Sequence, residues 1–463
     1  CVQNDIKSVE HSKMSSCGAI MKYVVYTHDK IIKKLGNLQL EKTKTIMNLQ
    51  ELLLCVSNAQ DMINPILSNH HQQVAYLSYR LAEQLNYPLY EQKSIFLAAL
   101  VHDIGALSIN ERLSIIDTEP AYIYDHALSG AKLLEGFKPL KKEANIIRYH
   151  HTSWENGNGS YFRGEKVPRG SHIIHIADRT CIKIKSGHNV LTQLPSILEA
   201  IKNKKNSTFD PVMVDALYTL SKKEYIWLDI ISETPVRKLP PGLFDMLPMD
   251  IDDIIDFSAV LSRIVDFRSK FTSRHSAGVA KTAHRLAEYM DFSVLECKMM
   301  LIAGYFHDIG KLTISNEVLE KPTSLNEEEF DEIRSHTYYT YQLLDAIPQF
   351  ETIKKWASYH HERLNGEGYP FKIKGDNLTL GSRIMAVADV FTAITENRPY
   401  RKGMDSDKAI SILKNMVENG SIDQYIVKTL INNFQEINSI REMAQKEASY
   451  RYEEFLNEKA ISL

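Results

Sequence analysis

The sequence predicts an all-α fold made of two tandem helical bundles, and two observations support this. Apolar residues recur at helical intervals along most of the chain, as in "HSAGVAKTAHRLAEYM" at 275–290, and alternating strand patterns are scarce. A long unit is also written twice, since one offset of 205 residues carries His70 to His275 and His102 to His307. A period of about 200 residues indicates duplicated domains and not a solenoid.

Single elements follow from local signals. "NEEEFDEIRSHTYYTYQLLDAI" at 326–347 is predicted to be a helix, because Asn326 is a suitable N-cap and Glu329 occupies the third helical position of a capping box. "TPVRKLPPGLFDMLPMD" at 234–250 contains four prolines and a glycine and is predicted to be a connector.

The repeat and the connector together predict four segments. Residues 1–45 match nothing in the second copy and are expected to be a helical or frayed lead-in. The first domain is placed at 46–233, the linker at 234–255, and the second domain with C-terminal helices at 256–463.

Length and composition limit the function classes. A chain of 463 residues exceeds the size at which one hydrophobic core usually stops growing, which also favours two domains. Hydrophobic residues make up 44%, charged residues 24%, and the formal net charge is -3. Neither a nucleic acid polymer nor a membrane surface is therefore an expected partner, and an anionic ligand needs a local cationic site.

The cysteines favour a reducing compartment. The five are odd in number and lack CxxC spacing, which argues against a disulfide framework and against a structural zinc. We expect a cytoplasmic protein without a membrane span, since no apolar stretch reaches ~18 residues. The chain begins at Cys1 rather than Met, which leaves an upstream signal, anchor or sensor domain open.

The second copy contains a scattered set of metal-type residues. Each alone is weak evidence, because a lone histidine on an apolar helix face is more often a core residue. Five imidazoles and two carboxylates are costly to bury unpaired, and metal ligation is their simplest common explanation. The candidate ligands are His275, His307, Asp308, His336, His360, His361 and Asp389.

This ligand set points to metal-assisted phosphoryl chemistry. Nitrogen and oxygen donors without a thiolate suit Fe or Mn as well as Zn. Seven ligands are too many for one ion but fit two ions that share a carboxylate, for which Asp308 is the natural bridge. A hydroxide between the ions is then the expected nucleophile, and Lys311, one helical turn after Asp308, can reach a phosphate oxygen.

Three motifs in order resemble the HD-GYP family of metal-dependent phosphohydrolases. They are "HDIGK" at 307–311, "HHERLNGEGYP" at 360–370 and "RIMAVADVFTAITENRPYRK" at 383–402, and the resemblance covers about 256–436. It implies a bacterial all-helical enzyme with two or three iron or manganese ions that hydrolyses cyclic di-GMP to the linear dinucleotide or GMP. The seven residues above fall on the family's ligand positions.

The resemblance also assigns residues to the substrate. It implies phosphate contacts for Lys311, Arg398 and Arg401, and a signature loop formed by Gly368, Tyr369 and Pro370 that also contacts signalling-protein partners. Independently, two guanidinium groups suit a ligand with two phosphates, although solvated surface charge is the alternative for these arginines. Tyr369 is either a packed loop aromatic or a stacking partner for a guanine.

Two departures from the family pattern affect these expectations. Members with a third metal have a glutamate where this chain has Phe271, so we expect two divalent ions. Leu364 and Asn365 stand where an aromatic residue and an aspartate are usual, which alters the contacts of the loop but no ligand.

The first copy resembles a degenerate HD domain. Ala106 replaces the lysine, and "WENGNGSYF" replaces the Gly-Tyr-Pro loop. A regulatory or dimerisation module is expected, with metal binding, a metal-free polar core and a second hydrolase all open. The retained residues are His70, His102, Asp103, His126, His150, His151 and Asp178, and the adjacent His71 leaves the first ligand open.

Three functions remain for the whole chain. The first is a cyclic di-GMP phosphodiesterase, and the second is a phosphodiesterase for another cyclic dinucleotide such as cyclic GMP-AMP. The third is a receptor or scaffold without turnover, which lost ligands would favour, whereas the second copy keeps all seven. A homodimer is an open possibility.

Overall fold

The computed structural model describes residues 47–61, 69–106, 124–243, 248–268, 274–321, 323–397 and 402–462. The predicted lead-in, Phe271, Arg398 and Arg401 lie outside these ranges. The residues from Met47 onward form one compact unit. The domain boundaries drawn from the sequence stay a prediction, and we use "N-terminal half" for 47–243 and "C-terminal half" for 248–462.

Helices dominate both halves, which confirms the predicted all-α fold. The helices of the N-terminal half are α1 Leu49–Asp61, α2 His70–Gln84, α3 Leu89–Leu100, α4 Tyr124–Glu135, α5 Lys141–Arg148, α6 Arg169–Cys181, α7 Val190–Lys202, α8 Pro211–Ser221 and α9 Glu224–Ile230. Those of the C-terminal half are α10 Ile251–Asp266, α11 His275–Tyr289, α12 Val294–Phe306, α13 Asn316–Leu319, α14 Glu327–Asp345, α15 Glu351–Ser358, α16 Leu380–Thr395, α17 Ser406–Glu418, α18 Gln424–Asn432 and α19 Phe434–Ser462.

The described strands are short and form two antiparallel pairs. Strand β1 Met47–Asn48 pairs with β4 Pro248–Met249, and β2 Tyr161–Phe162 pairs with β3 Glu165–Lys166. The β1–β4 pair joins the two halves. Within the predicted linker lie the 3₁₀ turns Pro235–Lys238 and Pro241–Leu243 as well as β4, and α10 begins at Ile251.

Some of the described helices begin at side-chain caps that the sequence provides. The side chain of Asn326 accepts a hydrogen bond from the backbone N–H of Glu329, and Glu329 accepts one from the N–H of Asn326. The predicted capping box at the start of α14 is thus confirmed. Ser293 and Glu296 form the same motif at the start of α12.

Two glycines allow the helices around the site to pack closely. A Cβ on Gly304 would lie 2.4 Å from the Cα of Ala280, so α12 touches the backbone of α11 at this point. A Cβ on Gly310 would lie 1.9 Å from the carbonyl oxygen of His336. The turn after α12 is therefore pressed against α14, which brings their histidines together.

Two segments of the N-terminal half also pack on the C-terminal half. Cys55 of α1 donates to the carbonyl of Leu343 in α14 at 3.2 Å, and the rings of Phe137 and Phe257 lie 5.1 Å apart.

Cys55, Cys181 and Cys297 are buried free thiols. Among the described helices, none combines the length and the apolar character that a membrane crossing requires.

Candidate metal centres

The seven predicted ligands of the C-terminal half lie in or directly after five helices and converge on one region. His275 opens α11, His307 and Asp308 follow α12, His336 lies in α14, His360 and His361 follow α15, and Asp389 lies in α16. His336 and His360 are fully buried, and His307 is 1% exposed. This burial of polar groups requires a common partner.

Backbone carbonyls fix the orientation of three imidazole rings. The Nδ1 atoms of His307, His336 and His360 face the carbonyl oxygens of the residues three positions earlier at 2.8, 2.5 and 2.6 Å. A ring that donates from Nδ1 presents the lone pair of Nε2 on its other side, which is the form that binds metal. These backbone contacts thus aim three Nε2 atoms at the centre.

The donor atoms form two neighbouring groups. One group contains His275, His307 and Asp308, the other contains His336, His360 and His361, and the ligand atoms within each lie within 4.8 Å of one another. Asp308 lies between them, since its Oδ2 is 3.2 Å from His307 Nε2 and its Oδ1 is 3.3 Å from His336 Nε2.

Asp389 also reaches both groups. Its Oδ1 lies 3.2 Å from His275 Nε2, and its Oδ2 lies 3.8 Å from His361 Nδ1. All seven predicted residues therefore surround one centre, in a geometry that allows Asp308 to bridge.

The charges inside the centre compensate for its burial. Burial alone would raise the pKa of Asp308, but His307 and Lys311 outweigh it and hold this pKa well below its usual value. Burial lowers the pKa of His336 to about 4 and that of His360 well below its usual range. The carboxylate is thus ionised and these two imidazoles are neutral, as metal ligation requires.

Lys311 lies at the mouth of the centre. Its Nζ donates to Asp308 Oδ2 at 2.6 Å, and its side chain is 18% exposed. Among the residues predicted to hold phosphate, it is the one that the structure describes, because Arg398 and Arg401 lie outside the described ranges.

The signature loop borders the same centre. The ring of Tyr369 lies 4.9 Å from that of His361, and the Arg334 guanidinium lies 5.2 Å over the Tyr369 ring. A Cβ on Gly368 would lie 2.4 Å from the Cα of Glu362, so the loop passes close to the chain after His361. The bond from Tyr369 to Pro370 is a cis peptide.

Sequence reasoning missed two buried carboxylates that support the centre. Glu396, 1% exposed, lies 3.2 Å from His275 Nδ1 and accepts a hydrogen bond from Gln445 at 3.0 Å. Glu362, also 1% exposed, accepts hydrogen bonds from the backbone N–H groups of Phe371 and Ile373. One signal was available, because Glu396 follows Asp389 by seven residues, two helical turns, which places both on one face.

The N-terminal half assembles its seven counterparts in a similar centre. His70 Nε2 lies 3.1 Å from Asp178 Oδ1, whereas His71 Nδ1 lies 2.5 Å from Asp61 Oδ1. Of the two adjacent histidines, His70 is therefore the one that faces the centre. The donors form the groups His70, His102, Asp103 and Asp103, His126, His150, His151.

Three features distinguish this centre from that of the C-terminal half. Buried Ala106 replaces Lys311, and the segment "WENGNGSYF" at 154–162, which ends in β2, replaces the Gly-Tyr-Pro loop in the sequence. Arg179 donates to Asp178 Oδ2 from Nη2 at 2.7 Å and from Nε at 2.9 Å. Val390 stands at the matching position of the C-terminal half.

Family models match both halves of the chain. Residues 67–182 and residues 259–426 each match a model described as HD domain. The curated relatives include the 3'3'-cGAMP-specific phosphodiesterase 1 of Vibrio cholerae, 29% identical over 84% of this chain and 93% of the relative. A cyclic di-GMP phosphodiesterase of Pseudomonas aeruginosa is 33% identical over 35% of this chain and 39% of the relative.

The two HD domains, together with relatives named as cyclic dinucleotide phosphodiesterases, support a phosphodiesterase of the HD-GYP type. HD domains bind divalent metal ions, and this HD-GYP protein is accordingly a metal-dependent phosphodiesterase. The fold agrees, since the crystal structure of a cyclic GMP-AMP specific phosphodiesterase of Vibrio cholerae superposes with a TM-score of 0.59 at 23% identity. That match covers 84% of this chain and 98% of the solved one.

The donors of the HD-GYP centre fit such ions. His307 Nε2 is buried and has no hydrogen-bond partner in the part of the chain that is described, although Asp308 lies beside it. A buried lone pair of this kind is satisfied by a cation held at the Nε2 side of the ring.

Proposed function

We propose that the C-terminal half hydrolyses a cyclic dinucleotide, with two divalent ions held by its seven donors. The observation that supports this most is the arrangement of Asp308 between two histidine groups, 3.2 and 3.3 Å from the nearest imidazole nitrogens. When bound, two divalent metal ions in such a site lower the pKa of water and polarise the phosphoryl oxygens. The donor set is compatible with Fe or Mn, as expected from the sequence.

The ligand assignments belong to the same proposal. His275, His307 and Asp389 would hold the first ion, His336, His360 and His361 the second, and Asp308 both. Glu396 would orient His275 through Nδ1, from which it lies 3.2 Å. Supporting carboxylates of this type fix the tautomer of a ligand histidine.

Lys311 would supply the positive charge for the scissile phosphate. In the structure its ammonium group is held by Asp308 at 2.6 Å. The flexible lysine stem would let this charge turn from Asp308 towards a phosphate oxygen at the mouth of the centre. Arg398 and Arg401 are proposed as further phosphate contacts on the family pattern alone.

The signature loop would hold one base of the substrate. The Tyr369 ring lies beside His361 with the Arg334 guanidinium on it, and a ring in this place offers a face on which a purine can stack. Gly368 and Pro370 would shape the loop around it. Contacts of this loop with a signalling protein, and a homodimer, stay predictions.

Two substrates are candidates. Cyclic di-GMP is the one expected from the sequence motifs. Cyclic GMP-AMP is favoured by one observation, since the cGAMP-specific relative matches 84% of this chain with both halves, whereas the Pseudomonas cyclic di-GMP relative matches 35%. The tandem arrangement is thus shared with the former.

The test is product analysis after anaerobic purification, loading with Fe or Mn, and parallel incubation with the two cyclic dinucleotides. We expect linear dinucleotide or GMP from at least one substrate, and no product from Asp308→Ala, which lacks the bridging carboxylate. The ratio of kcat/KM values ranks the substrates. Full activity of the Asp308→Ala variant, or no product from either substrate despite bound metal, would refute the proposal.

A further inference from the structure

The N-terminal half contains a cluster of four donors that is more compact than its counterpart. His126 Nε2 lies 3.3 Å from His150 Nε2, 3.1 Å from His151 Nε2 and 3.2 Å from Asp103 Oδ1. His150 Nε2 lies 3.6 Å from the same oxygen. A tetrahedral ion with bonds of about 2.0–2.1 Å separates its ligands by about 3.3 Å, which is close to these distances.

Hydrogen bonds between the four side chains do not satisfy this cluster. His150 Nδ1 faces the carbonyl of Ile147 at 2.8 Å and donates there, so its Nε2 presents a lone pair. His126 Nε2 carries one proton at most, so it can donate to only one of the three nearby atoms, His150 Nε2, His151 Nε2 and Asp103 Oδ1. Asp103 Oδ1 is buried, and the Nε2 atoms of His126 and His150 lie 3.2 and 3.6 Å from it. Several lone pairs thus converge on one point that needs a cation.

The matching cluster of the C-terminal half is more open. His360 Nε2 lies 4.0 Å from Asp308 Oδ1, and Lys311 holds the other oxygen of that carboxylate. The compact group there has three histidines, whereas the N-terminal group has three histidines and a carboxylate. Four protein ligands leave no open position for water, which is the arrangement of a structural site and not of a catalytic one.

The adjoining donors already contain a fixed cation. Arg179 is 8% exposed and binds Asp178 Oδ2 through two nitrogens, as described above. A guanidinium keeps its charge at any physiological pH, so it weakens the attraction of His70, His102 and Asp178 for a second ion. The N-terminal half therefore favours one ion where the C-terminal half favours two.

We propose that Asp103, His126, His150 and His151 form a closed, four-coordinate site for a single ion with tetrahedral preference, such as Zn²⁺, which stabilises the N-terminal half and does no hydrolysis. The cysteine spacing argues against zinc, but these four donors include no sulfur. The two halves would thus differ in the coordination geometry of their metal ions as well as in the number of ions that they bind.

The experiment titrates Co²⁺ into the full chain that carries Asp308→Ala and His336→Ala, which removes donors from both C-terminal groups. Tetrahedral Co²⁺ absorbs visible light strongly, and six-coordinate Co²⁺ absorbs weakly. We expect one Co²⁺ per chain with the strong band, displaced by Zn²⁺. Each C-terminal group lacks one donor in this background, and the absorption band is read without substrate, so the outcome does not depend on the activity proposed for that half.

Further variants in the same background assign the donors. His126→Ala and the nearly isosteric Asp103→Asn should each abolish the strong band, and Arg179→Val should raise the bound Co²⁺ from one to two per chain. The control is His172→Ala, a buried histidine of α6 that lies outside the four donors and should keep the band. Circular dichroism verifies folding, and Asp103→Asn decides if His126→Ala does not fold.

Three results would overturn the proposal. They are no Co²⁺ bound in the background protein, a weak band of six-coordinate type, and a strong band that survives Asp103→Asn. Two ions bound without the Arg179→Val change would refute the role given to Arg179.

Discussion

Glu396 offers the sharpest test of how the C-terminal centre is supported. It is 1% exposed, its Oε2 lies 3.2 Å from His275 Nδ1, and Gln445 donates to the same oxygen at 3.0 Å. Glu396→Gln keeps the length and one acceptor oxygen but removes the charge. Glu396→Ala removes both, so the pair separates the electrostatic effect from the orienting effect.

The expected loss of metal affinity follows from the position of Glu396, which contacts Nδ1 of the ligand His275 on the side of the ring away from the centre. Burial lowers the pKa of His275, but the charges of Glu396 and Asp389 outweigh it and raise this pKa to about 10. Glu396 therefore stabilises positive charge at this ring, whether a proton or a metal ion supplies it. Loss of such a group costs about 10–100-fold in metal affinity. We expect about 10-fold for Glu396→Gln and about 100-fold for Glu396→Ala, the tenfold step being about 1.4 kcal/mol.

The assay is a titration of Mn²⁺ into the metal-free chain in competition with a chelator of known affinity. Activity at saturating Mn²⁺ should recover to within a few-fold in both variants, because the ligands themselves remain. The matched control is Glu288→Gln, since Glu288 lies 3.9 Å from Nδ1 of the partly exposed His284 on the same helix. Unchanged Mn²⁺ affinity in both Glu396 variants would refute the reasoning.

Two further substitutions test the packing and the charge of the site. In Gly310→Ala the added Cβ would lie 1.9 Å from the carbonyl oxygen of His336, so the backbone must move, and we expect metal content to fall by about one ion per chain. Gly136→Ala, where nothing lies within 4 Å of the Cβ, should keep it, and equal metal content in both would contradict this. Lys311→Met should keep the bound metal but lower kcat by about 10²–10³, as the loss of one group that stabilises the transition state does. A kcat within threefold of the wild type would show that Lys311 does not act on the phosphate.

The convergence of the ligands could be predicted because it depends on repetition and on residue type. Seven donors at matching spacings in two copies are improbable as independent core residues, and the structure places both sets in compact centres. The capping box of Asn326 and Glu329 was equally readable, since its contacts lie within one helical turn. Local and repeated features are thus accessible from sequence.

The supporting residues were not accessible, because their roles depend on contacts between distant segments. Glu396 acts on His275, 121 residues earlier, and is held by Gln445 in α19. Arg179 is visible in the sequence as the neighbour of Asp178, but only packing shows that its guanidinium folds back onto that carboxylate. The choice between His70 and His71 was likewise open until Asp61 was found beside His71.

The two proposals give two similar ligand sets different purposes. Each has a cation bound to one of its carboxylates, Lys311 on Asp308 and Arg179 on Asp178. The side chain of Lys311 is 18% exposed on a flexible stem, which would allow its charge to turn from the carboxylate towards a phosphate. The side chain of Arg179 is 9% exposed and held at two nitrogens, so its charge stays inside the centre. A mobile cation at the mouth suits turnover, whereas a fixed cation in the interior limits the number of ions. Under the two proposals, the position of one positive charge separates a catalytic centre in one half from a structural one in the other.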